Sequence, residues 1–160
     1  MEPCSIRSYI GRVADKNTLA CYPELGGFEL LCQTPDATAI AKLDAMHRRA
    51  VHQLYEELIE RARDLYDTAS IAKTQWGKLS NERIIHLSER AINGPALVPS
   101  APRPKEGYSA SPAFEPSTEA YAALKRGYLH LPKALGIVDI PDFEEAVKLT
   151  RSLDPVPTQR

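Results

Sequence analysis

Residues 34–76 read TPDATAIAKLDAMHRRAVHQLYEELIERARDLYDTASIAKTQW, and the fold class turns on them. Thr34 can cap a helix, Pro35 suits a first helical turn, and Asp36 complements the positive end of the helix dipole. Neither glycine nor proline follows until Gly77, and Ala, Leu, Glu, Arg and Lys, all good helix formers, dominate the stretch. The composition predicts one helix over Asp36–Trp76, about 60 Å long at the usual rise. Leu43, Leu54, Leu65 and Trp76 recur every eleven residues, flanked by Ile40, Val51 and Ala62 on one side and His47, Leu58 and Ala69 on the other. That period keeps the apolar stripe on one side of a nearly straight helix. Asp44 with Arg48 and Glu57 with Arg61 stand at i, i+4 on the more polar sides and read as exposed pairs.

Working outward, Ser80–Asn93 predicts a second helix, stopped by Asn93-Gly94-Pro95, with Gly77 as the corner. Residues 35–93 thus read as an antiparallel helical hairpin. Upstream, residues 1–34 carry short apolar runs between turn formers, Asp15-Lys16-Asn17 and Pro23-Glu24-Leu25-Gly26-Gly27, and predict a small β meander of two or three strands. Downstream, residues 94–116 hold six prolines and predict an extended strap, anchored by Leu97, Val98, Tyr108 and Phe114. Short helices follow over 117–160: one ends near Gly127, a helical turn spans Pro132–Leu135, and a last helix opens at Pro141-Asp142. The fold class expected is mainly α (α+β), in a single domain over 1–160.

Twenty Lys and Arg against twenty-one Asp and Glu give a formal charge of −1, with mixed signs along the whole chain. A binder that neutralises phosphates normally shows a basic stretch, so nucleic acid is not the expected partner. No apolar run reaches the ~20 residues that span a bilayer, and the start lacks a secretory signal, so a cytoplasmic location and no membrane contact are expected. Cys4, Cys21 and Cys32 are odd in number and lack a paired C-x-x-C, which fits free thiols better than a disulfide framework or a zinc site.

Asp44-x-x-His47 has the i, i+3 spacing of a helical metal ligand pair, but no second copy exists, so no metal is expected. Leu131–Ile137 resembles the corner of a helix-turn-helix. Asp139, Asp142, Glu144 and Glu145 then crowd the would-be reading helix with acid, and a plain packing corner is preferred. Nucleophile elbows, phosphate loops and zinc-protease motifs do not occur, so neither catalytic residues nor cofactors are assigned.

A helix longer than its neighbours can cover leads to the functional expectation: a non-enzymatic interaction protein, an adaptor, inhibitor or assembly component, binding a protein partner or a second copy of itself. Ile40, Leu43, Met46 and His47, remote from the corner at Gly77, are the expected contact residues. The alternative is a small enzyme or ligand-binding protein with a pocket between meander and helices, lined by Tyr9, Tyr22, Cys21, Cys32 and His47.

Overall fold

Glu2–Ile6 (β1) pairs antiparallel with Phe28–Cys32 (β2), Ile6 opposite Phe28 and Glu2 opposite Cys32. A helix, Lys16–Cys21 (α1), stands between them where the meander called for a turn and a further strand. The reason is local. The Asp15 carboxylate accepts the Thr18 N–H at 2.7 Å and caps a helix, although the same Asp-Lys-Asn run also reads as a turn. The computed structural model describes residues 2–6, 13, 15–23, 28–74, 81–92, 99–135 and 140–154. Two compact units divide the chain, Met1–Thr34 and Pro35–Arg160.

The described residues of the second unit are mainly helical: α2 (Pro35–Val51), α3 (Tyr55–Glu60), α4 (Arg63–Lys73), α5 (Asn81–Ile92), α6 (Glu119–Leu135) and α7 (Phe143–Arg151). Single 3-10 turns at Tyr108–Ala110 and Pro112–Phe114 interrupt the strap. The 60 Å helix is therefore corrected to three shorter ones. Gln53 takes φ 57°, a left-handed conformation that ends α2, and the Leu54 N–H bonds back to the Arg49 carbonyl at 2.8 Å. A second, softer break at Arg61 and Ala62 separates α3 from α4.

The breaks let the chain cover its own apolar stripe. α3 packs on α6, α4 on α7, and α2 on both α4 and α5. Leu43, Leu58, Ala62, Leu65 and Ala69 are all buried, while Leu54 at the joint is half-buried and Val51 exposed. The overhang that a straight helix would have left is thereby removed. Asp44 and Arg48, read as an exposed pair, are instead paired inside the core, and Glu57 reaches Arg49 at 3.3 Å. Trp76 and the corner at Gly77 lie outside the described residues, as do Leu97 and Val98 of the strap.

The strap is anchored where its aromatics predicted, with Tyr108 and Phe114 fully buried. Asp154, just beyond α7, binds it at a second point: its carboxylate accepts from Arg103 Nη2 at 2.6 Å, Arg103 Nε at 3.1 Å and the Tyr108 N–H at 2.8 Å. Gly107 sits against that carboxylate with φ 88°, a conformation that suits glycine. Helix α6 runs straight through Gly127, which the sequence had marked as a stop. The glycine is needed for packing: a Cβ there would strike the Ile59 carbonyl oxygen and stand 2.8 Å from Ile59 Cα and Ala62 Cβ. Asp142 caps α7 by accepting the Glu145 N–H at 2.7 Å, and Thr68 of α4 bonds Thr150 of α7 through their hydroxyls at 3.0 Å. Among the described residues no helix is long and apolar enough to cross a membrane.

Candidate active site

Two helices with no chemistry-bearing motif of their own bring a charged cluster together at the edge of the core. Lys42 on α2 places its ammonium 2.6 Å from Asp64 Oδ1 and 2.9 Å from Asp67 Oδ2, both on α4 and one helical turn apart. Arg49, two turns further along the same face of α2, stands 4.0 Å from the other oxygen of Asp64 and donates to the Ala45 carbonyl at 3.1 Å. Arg63 closes the cluster at 3.7 Å from Asp67. Lys42, Asp64 and Asp67 keep between a sixth and a quarter of their side-chain surface exposed, so the group is neither sealed in nor fully solvated. Burial is the largest single influence on Lys42 and pushes its proton affinity down. The hydrogen bonds and charges of Asp64 and Asp67 together outweigh it, and the net shift is upward. Lys42 is a fixed positive charge at neutral pH.

A second polar group is sealed in the core and has structural geometry. His47 Nε2 lies 3.0 Å from the Pro102 carbonyl oxygen, which can only accept, so Nε2 carries the proton. Nδ1 then accepts from the Ser111 hydroxyl at 3.1 Å, and the Ser111 oxygen receives the Ala113 N–H at 3.3 Å. Asp44, paired with Arg48, accepts the Tyr108 hydroxyl at 3.1 Å. Every His47 nitrogen is thus used by the neutral ring, and burial lowers its proton affinity below the ordinary value of 6.5, against the pull of Pro102 and Asp44.

The sign of the pH effect follows. The unfolded chain takes the proton first as pH falls, so the stability due to neutral His47 is full above about pH 6.5 and is lost progressively below it. Urea unfolding at pH 7.5 and 5.5 should show that loss, and His47→Gln should flatten it. An unchanged slope in the variant would place the titration elsewhere.

These positions change the meaning of the residues first expected to meet a partner. Ile40, Leu43, Met46 and His47 are 0, 1, 0 and 4% exposed, enclosed by the chain's own helices and strap. An interface cannot begin on side chains without accessible surface. Of the residues of the alternative pocket, Cys21 and Tyr22 are exposed and His47 belongs to the core of the second unit, while Tyr9 lies outside the described residues. Asp44-x-x-His47 holds Arg48, Tyr108 and Ser111, and among the described residues no group of three or more His, Cys, Asp and Glu could hold a metal ion.

The sequence matches one family over nearly its whole length. The family described as nucleotidyl transferase AbiEii toxin, type IV toxin–antitoxin system, covers residues 1–149 of the 160. The chain belongs to the AbiEii family. No curated protein and no solved structure matches it. Membership overturns the expectation of a non-enzymatic adaptor, inhibitor or assembly component, because the AbiEii family is one of enzymatic toxins. That expectation rested on an uncovered stripe, and the break at Gln53 has already removed it. A protein partner remains in keeping with an AbiEii chain, since a toxin–antitoxin system pairs the toxin with an antitoxin. Sequence reasoning passed over Lys42, Asp64 and Asp67. The available signal was two acids at i, i+3 on an otherwise amphipathic stretch, and only packing shows that a lysine twenty-two residues earlier faces them.

Proposed function

We propose that the chain acts in nucleotidyl transfer as a toxin, and that Lys42, Asp64 and Asp67 form part of the transfer site. One observation carries the assignment of residues: a half-buried ammonium held between two carboxylates on adjoining helices, open to solvent on one side, in a chain of this family. In such a transfer an acceptor oxygen attacks the α-phosphorus of a nucleoside triphosphate. The bond to pyrophosphate breaks, and the acceptor loses its proton. Lys42 supplies a positive charge for the phosphate oxygens, where charge develops in the transition state. Asp64, freed from Lys42 as the lysine turns to phosphate, is the carboxylate placed to take the acceptor's proton. Asp67 keeps Lys42 oriented. Phosphoryl chemistry of this kind commonly uses divalent cations. Two carboxylates flanking a lysine do not amount to a metal ligand set, and none of the three roles above passes through a metal.

An antitoxin protein is the partner this reading implies, and the cytoplasm, where nucleoside triphosphates are made and used, is its place of action. The test is transfer of label from α-labelled nucleoside triphosphates to acceptors in a cell extract. Lys42→Ala and Asp64→Asn should each reduce transfer at least tenfold, about 1.4 kcal/mol of barrier, with unchanged circular dichroism. Arg126→Ala, on the exposed face of α6, should leave it unchanged. Full activity in both site variants would remove the cluster from the site, and absence of transfer by the parent protein would remove the activity.

A further inference from the structure

His47 of α2 and His52 just past its end each reach a carbonyl of the strap. His47 Nε2 donates to Pro102 at 3.0 Å while its Nδ1 accepts from the Ser111 hydroxyl at 3.1 Å, and His52 Nε2 donates to Ser100 at 3.3 Å. The two rings answer protonation differently. A charged His52, exposed to water, keeps its Nε2–H and with it the bond to Ser100. A charged His47 loses the lone pair that holds Ser111.

Ser111 has no other arrangement open to it. The residue is fully buried, and its oxygen already receives the Ala113 N–H at 3.3 Å, capping the Pro112–Phe114 turn. A proton on Nδ1 aims a second N–H at that oxygen and leaves the hydroxyl hydrogen without an acceptor among the described residues. The cost of an unpaired buried donor then adds to that of a buried charge. The surroundings do not relieve it. Asp44 attracts the added charge, but its carboxylate is held by Arg48 and the Tyr108 hydroxyl, and Arg48 and His52 oppose the charge. From the strap, the Tyr108 ring meets His47 edge-on at 5.8 Å, with Arg103 over that ring and Asp154 bonded to Arg103. α6 and α7, which pack on the two 3-10 turns, add no buried charge among the described residues.

We propose that His47 is an acid-sensitive latch: when Nδ1 takes a proton, the strap over 102–114 lifts from α2 in one piece while the helices stay folded. The backbone makes such a movement separable. Gly107 bonds to Pro104, Ala110 to Gly107, Ser111 to Tyr108 and Phe114 to Ser111, all inside the strap, so lifting it breaks no helical ladder. Segments joined to the rest mainly through side chains open below the free energy of global unfolding. The direction with pH follows from the closed form, in which burial holds the His47 ring below its ordinary affinity of 6.5. One unit below that value a freed imidazole is protonated about ten to one, so opening should rise by up to about tenfold between pH 7.5 and 5.5.

Hydrogen exchange of the folded full chain in increasing urea, followed amide by amide by NMR at both pH values, tests the latch. The Ala110, Ser111, Ala113 and Phe114 amides should open through a step of shallow urea slope, since little surface is bared. Its opening constant should be at least threefold larger at pH 5.5. Ala69 and Leu124, buried in α4 and α6, should open only with the full slope of global unfolding. His47→Gln should abolish the pH effect on the strap, and His52→Gln should preserve it. Should His47→Gln fail to fold, the ring nitrogen signals of the parent protein still decide, because the latch requires the Nε2–H tautomer at pH 7.5. Strap and helix amides sharing one urea slope, a strap indifferent to pH, a pH effect lost in His52→Gln, or an Nδ1–H tautomer would each overturn it. None of these readouts involves Lys42, so the latch and the transfer site stand or fall separately.

Discussion

Replacing Gly127 with alanine should destabilise the protein by about 3 kcal/mol, at the upper end of what overpacking a well-filled core costs. The sign is diagnostic, because alanine in a helix interior is normally the better residue by about 0.5–1 kcal/mol. Here the added methyl meets the Ile59 carbonyl oxygen and Ile59 Cα, atoms of a backbone that cannot rotate away as a side chain would. Helices α3 and α6 must separate for it to fit, and the apolar contacts around Leu58, Ala62 and Leu124 loosen with them. Leu129→Ala, two residues along α6 and 63% exposed, should cost little by comparison. Thermal unfolding of the two variants decides the matter. Equal stability would mean that α6 does not approach α3 this closely.

The Asp154→Ala variant should lose about 3–5 kcal/mol, the usual cost of removing one partner of a buried ion pair. Its carboxylate is buried and holds the Arg103 guanidinium through two hydrogen bonds and the Tyr108 N–H through a third. Losing it leaves a buried backbone donor unpaired and an arginine half inside the protein with no counter-charge. Asp154→Asn keeps an acceptor and the shape, and should fall between wild type and alanine. Denaturant unfolding of the three proteins tests this order. A harmless alanine would show that the buried Tyr108 and Phe114 anchor the strap without the clamp.

Much of the fold was legible because its punctuation is local. The Pro35–Asp36 start, the Asp142 cap and the aromatic anchors Tyr108 and Phe114 act through the groups beside them, and each stands where the residues predicted. Gln53 carried no such mark. Its neighbours are ordinary helix formers, and the left-handed turn is enforced by what α3 gains on α6, a term that exists only after folding. Gly127 misled for the converse reason: a glycine that looks like a stop is explained by a carbonyl sixty-eight residues earlier in the chain. The candidate site was less legible still, since Lys42 and Asp64 meet only because the helix breaks between them. Ile40, Leu43, Met46 and His47 were expected to meet a partner because a straight helix would have left them uncovered, and their burial follows from the same break.

The hydroxyl pair Thr68–Thr150 and the Asp154 clamp also bear on how the protein is born. Eighty-two residues separate the two threonines, an interval that a ribosome takes about 4–16 s to translate. During that time the face of α4 that α7 will cover is exposed to the cell. The α4 face of the helical unit is therefore covered only once α7 has been made, and a nascent chain interrupted before Phe143 offers chaperones and proteases an open core.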